Sequence, residues 1–90
     1  MNEIREKIER WKIKAESLLR EDKRIFVKDN NNTYFWADIL IVGESKLYFK
    51  PFKGNNAGEK MDKYWADIID FDEYREEIKW MSLKIKIIKN

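Results

Sequence analysis

One stretch, residues 33–42, constrains the fold of this chain more than any other. It reads TYFWADILIV, with three asparagines before it and Gly43 after it. Aromatic and β-branched residues favour strands, whereas Asn and Gly favour turns. The pattern therefore predicts a long β-strand with a turn at each end. A second copy of its central pentapeptide, YWADI at 64–68, predicts another strand with the same role in one sheet.

Side chains alternate between the two faces of a strand, so each copy can be divided into an inner and an outer set. In the first copy the expected inner set is Phe35, Ala37, Ile39 and Ile41. The expected outer set is Tyr34, Trp36, Asp38, Leu40 and Val42. In the second copy, by analogy, we expect Tyr64, Ala66 and Ile68 inside and Trp65 and Asp67 outside.

The composition bounds the chemistry that is available. The 90 residues suit one domain, and 13 aromatic side chains (4 Trp, 4 Tyr and 5 Phe) supply apolar area for a small core. The sequence contains neither cysteine nor histidine. These absences exclude disulfides, thiolate and histidine catalysis and most transition-metal sites. We therefore predict a chain that is not an enzyme and that has no cofactor and no metal.

Charge and hydropathy give a further expectation about location. Charged residues make up 40% of the chain, but their net charge is only +2. No apolar run reaches the length of a membrane span, and the charged N-terminus does not resemble a signal peptide. We therefore expect a cytoplasmic protein that does not associate with a membrane.

Periodicity along the chain predicts a single α+β domain over residues 1–90. An N-terminal helix over 1–20 would pack on a strongly bent antiparallel sheet of five strands, closed or nearly closed into a small barrel. Four strands, expected at 24–28, 33–42, 46–50 and 60–69, would form the core over 24–69. Residues 70–90 would add a short helix over 70–78 and an edge strand over 82–88, where lysines face water.

The N-terminal helix carries one apolar stripe. Its members are Ile4, Ile8, Trp11, Ala15 and Leu18, spaced alternately four and three residues apart. One interpretation is that this stripe covers the sheet. The alternative is a self-association seam formed by Ile4, Ile8 and Trp11, because the spacing is also that of a heptad.

The order of elements resembles that of the Sm-like family and other SH3-like small barrels. In the Sm-like family the first two strands carry a hydrophobic-Lys-Asp-turn-aromatic pattern, to which Val27-Lys28-Asp29 followed by Tyr34 is similar. The resemblance covers residues 4–70 by topology and implies a small barrel. The family's Asp-Gly turn is Asp29-Asn30 here, and its Met-Asn and Arg-Gly pairs are absent. The resemblance therefore implies the fold and transfers no RNA site.

The expected outward aromatic residues are the main candidates for a binding site. They are Tyr34, Trp36, Tyr48 and Trp65, with Phe26 beside them. Lysines surround them in sequence, namely Lys28, Lys46, Lys50, Lys53, Lys60 and Lys63, the last four in or beside a glycine-containing loop. Such rings could be covered by the N-terminal helix, could stack on the bases of a single-stranded nucleic acid, or could contact a protein.

Two weaker patterns complete the set. The loop at 50–63 could bring backbone amides to a phosphate, but it lacks the spacing of a Walker loop, so a solvated hairpin tip is the simpler interpretation. Asp38 and Asp67 hold equivalent places in the two copies and could converge as a carboxylate pair for Mg²⁺ or for acid–base chemistry. We expect a binding or assembly module with a protein partner or a second copy as its ligand, and single-stranded nucleic acid as the alternative.

Overall fold

The computed structural model describes residues 2–75 of the chain, which form an N-terminal helix packed on a five-stranded antiparallel sheet. A single turn of 3-10 helix precedes the last strand, so the predicted α+β fold is confirmed. The elements are α1 (Asn2–Arg20), β1 (Arg24–Asp29), β2 (Tyr34–Val42), β3 (Lys46–Pro51), β4 (Met61–Tyr64), the 3-10 turn (Trp65–Asp67) and β5 (Ile68–Glu73).

The sheet is strongly bent, as its strand order requires. The order is β4-β3-β2-β1-β5, so β4 and β5 are the two edge strands. Four spacings between neighbouring strands would separate these edges by about 19 Å in a flat sheet. Tyr64 ends β4 and Ile68 begins β5, and four residue steps reach at most about 14 Å even when fully extended. The sheet therefore curls until the 3-10 turn can join its edges.

The core lies on the inner side of this curl. Alternation along β1 and β2 places Ile25, Val27, Phe35, Ala37 and Ile39 inside. The last three confirm the prediction for the first copy of the pentapeptide up to Ile39. Side chains from β3, the 3-10 turn, β5 and α1 complete one buried cluster. Its remaining members are Ala15, Leu18, Leu47, Phe49, Trp65, Ile68 and Phe71.

The stripe of α1 packs on this core. Ala15 and Leu18 are buried, and Ile8 and Trp11 are half-buried against the cluster. The Trp11 ring lies 6.2 Å from that of Phe71, centroid to centroid. The predicted role of the stripe as a cover for the sheet interior is therefore what the structure shows. Ile4 is 61% exposed, so it is the one member of the expected seam that remains largely open.

A β-bulge reverses the prediction for the end of β2. The pairing of β2 with β3 shifts register between Ile39 and Ile41, leaving Leu40 as the extra residue. Beyond a bulge the inward and outward positions exchange. Ile41, predicted inside, is 57% exposed, and Val42, predicted outside, packs against the core.

For the second copy of the pentapeptide, the predicted facing is wrong at Tyr64, Trp65 and Ala66, whereas Ile68 is buried as predicted. Trp65 is 1% exposed, whereas Tyr64, predicted inside, is 53% exposed. The pairing of β4 with β3 determines which face each residue of this segment points to, because Leu47, which points inward, lies opposite Lys63. Residues directly opposite each other in an antiparallel pair share a face, so alternation brings Trp65 inside as well.

Trp65 is held in place by polar contacts as well as by packing. Its indole N–H donates to the carbonyl of Gly43 at 3.1 Å, and the Phe71 ring meets it edge to face at 5.9 Å. Gly43 accommodates a close approach, since a Cβ there would lie 2.7 Å from the carbonyl oxygen of Lys46. The turn after β2 is therefore shaped around the buried indole.

The helix predicted over 70–78 is wrong in its first half. Residues up to Glu73 belong to β5, whose partner is β1. Within residues 2–75 the short helical element lies earlier, at Trp65–Asp67, and β5 is the fifth strand of the sheet. Acidic residues at 70, 72 and 73 suggested the first turn of a helix, but the pairing with β1 determines the conformation instead. The strand predicted at 82–88 lies outside the described residues.

Replacing the tryptophan by alanine should destabilise the protein strongly in the second copy of the pentapeptide and only slightly in the first. We expect Trp65→Ala to lower the free energy of unfolding by about 3–5 kcal/mol, the usual cost of emptying a buried aromatic site. Trp36→Ala should cost about 1 kcal/mol or less, because only cross-strand contacts on an outer face are lost. Urea unfolding followed by circular dichroism measures both values. Equal losses for the two variants would contradict the assignment of faces.

Candidate binding site on the outer face of the sheet

Five aromatic side chains gather on the outer face of β1 and β2 and beside it, and we call them the outer aromatic cluster. They are Phe26, Tyr34, Trp36, Phe52 and Tyr74. Tyr34 is 48% exposed, and the other four are half-buried. The cluster lies on the face of the sheet opposite the core. Because α1 packs on the core, it does not cover these rings.

The first part of the cluster is built by the pairing of β1 with β2. Phe26 lies directly opposite Trp36, and Lys28 lies opposite Tyr34. The Phe26 ring is 5.5 Å from that of Tyr34 and 6.4 Å from that of Trp36. The Tyr34 and Trp36 rings lie 6.4 Å apart at an interplanar angle of only 24°. Three rings thus form a continuous apolar surface across two strands.

The second part of the cluster is attached through the backbone. Phe52 follows β3, and its N–H donates to the carbonyl of Trp36 at 2.9 Å. Tyr74 follows β5, and its N–H donates to the carbonyl of Arg24 at 2.8 Å. These bonds bring the Phe52 and Tyr74 rings together edge to face, with centroids 5.1 Å apart. Segments distant in sequence therefore meet beside Trp36.

Lys53 joins the two parts of the cluster. Its ammonium nitrogen lies 4.9 Å from the centroid of the Trp36 ring, 5.1 Å from that of Tyr74 and 6.0 Å from that of Phe52. It also donates a hydrogen bond of 3.3 Å to the Tyr74 hydroxyl. These distances lie within the range of cation–π attraction. We call the three rings around this nitrogen the ammonium cage.

Charges of both signs border the cluster. Arg24 places its guanidinium carbon 4.1 Å from the centroid of Phe52, and its Nε donates to Asp38 at 3.1 Å. The Lys28 ammonium lies 5.1 Å from the Tyr34 ring. On β5, Asp72 forms an ion pair with Lys14 at 2.7 Å, and the hydrogen bond from that lysine is the main reason that the pKa of Asp72 lies below its ordinary value.

The structure unites only some of the residues predicted for binding. Tyr34, Trp36 and Lys53 meet in the outer aromatic cluster. Lys50 faces Asp38 across β2 and β3 and is exposed. Tyr48 and Lys60 line a different cavity, of about 320 Å³, with Leu40 and Ile41. The predicted site is therefore divided between two places.

Two of the predicted binding residues belong to the interior. Trp65 fills the core, so it cannot stack on a ligand. Lys63 turns toward Asp29 and forms an ion pair with it at 3.0 Å, while its nitrogen lies 5.6 Å from the Phe35 ring. Both positions follow from the pairing of β4 with β3, which points residues 63 and 65 inward.

Sequence reasoning missed Phe52, Tyr74 and Arg24 as members of the site. Phe52 falls in the loop expected at 50–63, and Tyr74 falls in the helix predicted over 70–78. The β1–β5 pairing, which continues to Arg24 and Tyr74, brings Tyr74 to the cluster, and the β2–β3 pairing, which continues to the bond between Phe52 and Trp36, brings Phe52. No local pattern in the sequence reports these pairings.

The predicted carboxylate pair does not form. Asp38 pairs with Arg24 at the start of β1, while the carbonyl of Asp67 accepts from the N–H of Asn30 just after its end. Six residue steps along a strand put these places about 20 Å apart. Within residues 2–75, no group of three or more carboxylates could hold a metal ion.

The described part also contains no helix long and apolar enough to cross a membrane.

The Lys-Asp motif of the first hairpin has a structural role. Asp29 is 2% exposed, and one of its carboxylate oxygens accepts from the N–H groups of Asn31 and Thr33 at 2.9 and 3.0 Å. The other oxygen pairs with Lys63 of β4. This carboxylate shapes the turn, in which Asn32 takes a left-handed conformation with φ of 63°. It also links the hairpin to the far edge of the sheet.

No protein-family model matches the chain, and no curated protein matches it. The description of the site therefore rests on its own geometry.

The lowered pKa of Asp29 predicts that the folded protein loses stability in acid. Burial acts to raise the pKa of its carboxyl, but the hydrogen bonds from Thr33, Lys63 and Asn31 outweigh burial and bring the pKa below its ordinary value. A lowered pKa contributes stability that is present above the unfolded pKa, about 3.9, and is lost as the pH falls through the folded pKa. Asp29→Asn should lower the free energy of unfolding at pH 7 by about 1–3 kcal/mol.

The measurement is urea unfolding of the wild type and of Asp29→Asn between pH 7 and pH 2. We expect the difference between the two proteins to shrink below about pH 4, because the carboxyl is then protonated in the unfolded chain and, at still lower pH, in the folded protein as well. Asp72→Asn is the control, since it removes a carboxyl with a lowered pKa whose side chain is 61% exposed and therefore screened by water. A difference that does not change with pH would contradict this role of Asp29.

Proposed function

We propose that this chain is a non-enzymatic binding module that receives a segment of a protein partner on its outer aromatic cluster. The observation that carries this proposal is the position of five aromatic rings on the face of the sheet opposite the core. Apolar rings bordered by polar groups are typical of interaction surfaces, and Trp, Tyr and Arg are the residues most enriched at their centres.

The mixed charge around the cluster favours a protein partner. Lys28, Lys53 and Arg24 bring positive charge, and Asp38 and Asp72 bring negative charge to the same face. A surface that follows a phosphate backbone is expected to carry mostly one sign. All three of these cations already lie over aromatic rings. The site therefore suits a ligand that has both apolar and charged groups, as a peptide does.

Single-stranded nucleic acid is the second candidate, because of one specific feature. The nearly parallel rings of Tyr34 and Trp36 have a lysine ammonium beside each of them, Lys28 at 5.1 Å and Lys53 at 4.9 Å. Stacked bases with phosphates near lysines would use such an arrangement. This candidate uses the same rings and differs in its dependence on salt.

Self-association through the helix has less support. Ile8 and Trp11 pack against the core of their own chain, so a seam with a second copy would have to use Ile4 and the exposed side of α1. The bent sheet with edge strands joined by a 3-10 turn supports the small SH3-like barrel that the resemblance to the Sm-like family implies. The cytoplasmic location stays a prediction from the sequence.

Peptide selection tests the proposal directly. Random linear peptides displayed on phage are selected on the immobilised domain, and the affinity of enriched peptides is measured by calorimetry for the wild type and for Trp36→Leu. We expect Trp36→Leu to weaken binding about tenfold or more, because an aromatic anchor at the centre of an interface contributes over about 1 kcal/mol.

Tyr64→Leu is the matched control, since Tyr64 is an exposed ring with a lysine, Lys46, 4.6 Å from its centroid, outside the outer aromatic cluster. It should leave peptide binding unchanged. A parallel titration with oligo-dT distinguishes the second candidate. Oligo-dT binding that weakens steeply with salt and is lost in Trp36→Leu, together with peptides that bind both proteins equally, would replace the protein partner by nucleic acid.

A further inference from the structure

The ammonium cage is occupied by a side chain of the same molecule. Lys53 places its nitrogen within 6.0 Å of three ring centroids and donates to the Tyr74 hydroxyl. Aromatic rings attract cations through their negative faces, and three rings around one nitrogen form a site that selects for positive charge. The structure thus displays the chemical class of ligand that this place accepts.

The cage does not depend on Lys53 for its shape. Trp36 belongs to β2 and lies opposite Phe26, while Phe52 and Tyr74 are fixed by backbone hydrogen bonds to Trp36 and Arg24. None of these contacts involves the lysine side chain. Removal of the ammonium would therefore leave the three rings in place and the cage open.

Lys53 is also free to leave. It is exposed, and no carboxylate within residues 2–75 forms an ion pair with it. The next residue, Gly54, has φ of 93°, and nothing lies within 4 Å of the place where its Cβ would be. Glycine tolerates many backbone conformations, so this position can act as a pivot. A lysine ammonium that leaves the cage regains its hydration in water.

Space for a partner chain adjoins the cage. A groove of about 260 Å³ runs along the rings of Tyr34 and Trp36 to Lys53 and the loop at 54–56. On the other side, the Arg24 guanidinium lies over Phe52 at 4.1 Å and is paired with Asp38 at 3.1 Å, which offsets its charge. An incoming cation would thus meet three rings and a hydroxyl, while its flanking backbone would have the groove.

We propose that the ammonium cage binds a lysine side chain of a protein partner, and that Lys53 occupies the cage as an internal competitor in the free protein. The proposal rests on the proposed function and adds the chemistry of the partner and a mechanism of self-inhibition. When only a fraction of the molecules has an open cage, the apparent dissociation constant rises by the inverse of that fraction. Lys53 therefore weakens binding without contacting the partner.

The test uses the Lys53→Ala variant and three short peptides, Ac-Ala-Xaa-Ala-amide with lysine, trimethyllysine or norleucine in the centre. Binding is followed by NMR from the backbone amide signals of Phe52 and Gly54, which every variant retains. We expect Lys53→Ala to bind the lysine peptide about fivefold tighter than the wild type does, given the usual strength of exposed cation–π contacts. Trimethyllysine should bind tighter still, because it is less strongly hydrated, and norleucine should not bind.

Two further variants make the result specific. Lys60→Ala removes the same charge from the same loop. Because Lys60 lines the separate cavity with Leu40 and Ile41, the Lys60→Ala variant should bind each peptide as tightly as the wild type does. Trp36→Leu combined with Lys53→Ala keeps apolar volume but removes one ring of the cage and should abolish the gain. Thermal unfolding of each variant checks that the fold is retained.

The proposal is overturned if Lys53→Ala gains no affinity for the lysine peptide, or if the norleucine peptide binds as well as the lysine peptide. Such a failure can be separated from a failure of the proposed function. Peptides selected on the outer aromatic cluster that depend on Trp36 and lack lysine would sustain the binding module and exclude the cation cage. Absence of any peptide that depends on Trp36 would remove both.

Discussion

Burial of Trp65 is the interaction on which the rest of the structure depends. The indole lies between the two edge strands of the sheet, donates to the carbonyl of Gly43 and meets the ring of Phe71. Its position inside requires the curl that joins β4 to β5, and α1 packs against the same 3-10 turn and the adjoining core. A domain of this size has little apolar surface to spare, so the helix is committed to this side of the sheet.

That commitment leaves the opposite face of the sheet uncovered by α1. The aromatic residues divide into an inner group around Phe35, Phe49, Trp65 and Phe71 and an outer group around Trp36. The inner group stabilises the fold and the outer group is bordered by cations. Binding capacity on the outside is therefore a consequence of how the interior is filled. The ion pair of Asp29 and Lys63 reinforces this division, because it fixes the first hairpin to β4 from within.

Sequence reasoning reached the architecture and half of the site for identifiable reasons. The stripe of α1 and the alternation of β1 and the first part of β2 are local patterns, and each was sufficient to predict its element. Leu40 and Trp65 show where such patterns fail. The position of a bulge, and the choice of which side chains of a strand face the core, are determined by pairing with another strand. The sequence of one strand does not report its partner. Tyr74 and Phe52 joined the site through the same kind of non-local contact.

The side-chain nitrogen of Lys53 lies among three aromatic rings on the outer face of the sheet. Ring currents shift the signals of protons that lie over an aromatic face, so the εCH₂ protons of Lys53 report this position directly in a proton–carbon NMR spectrum. We predict that they resonate clearly upfield of those of Lys50 and Lys60 and move toward that position in Trp36→Leu, where only the Tyr74 and Phe52 rings remain. Lys53 signals that coincide with those of Lys50 and Lys60 in the wild type would contradict the account.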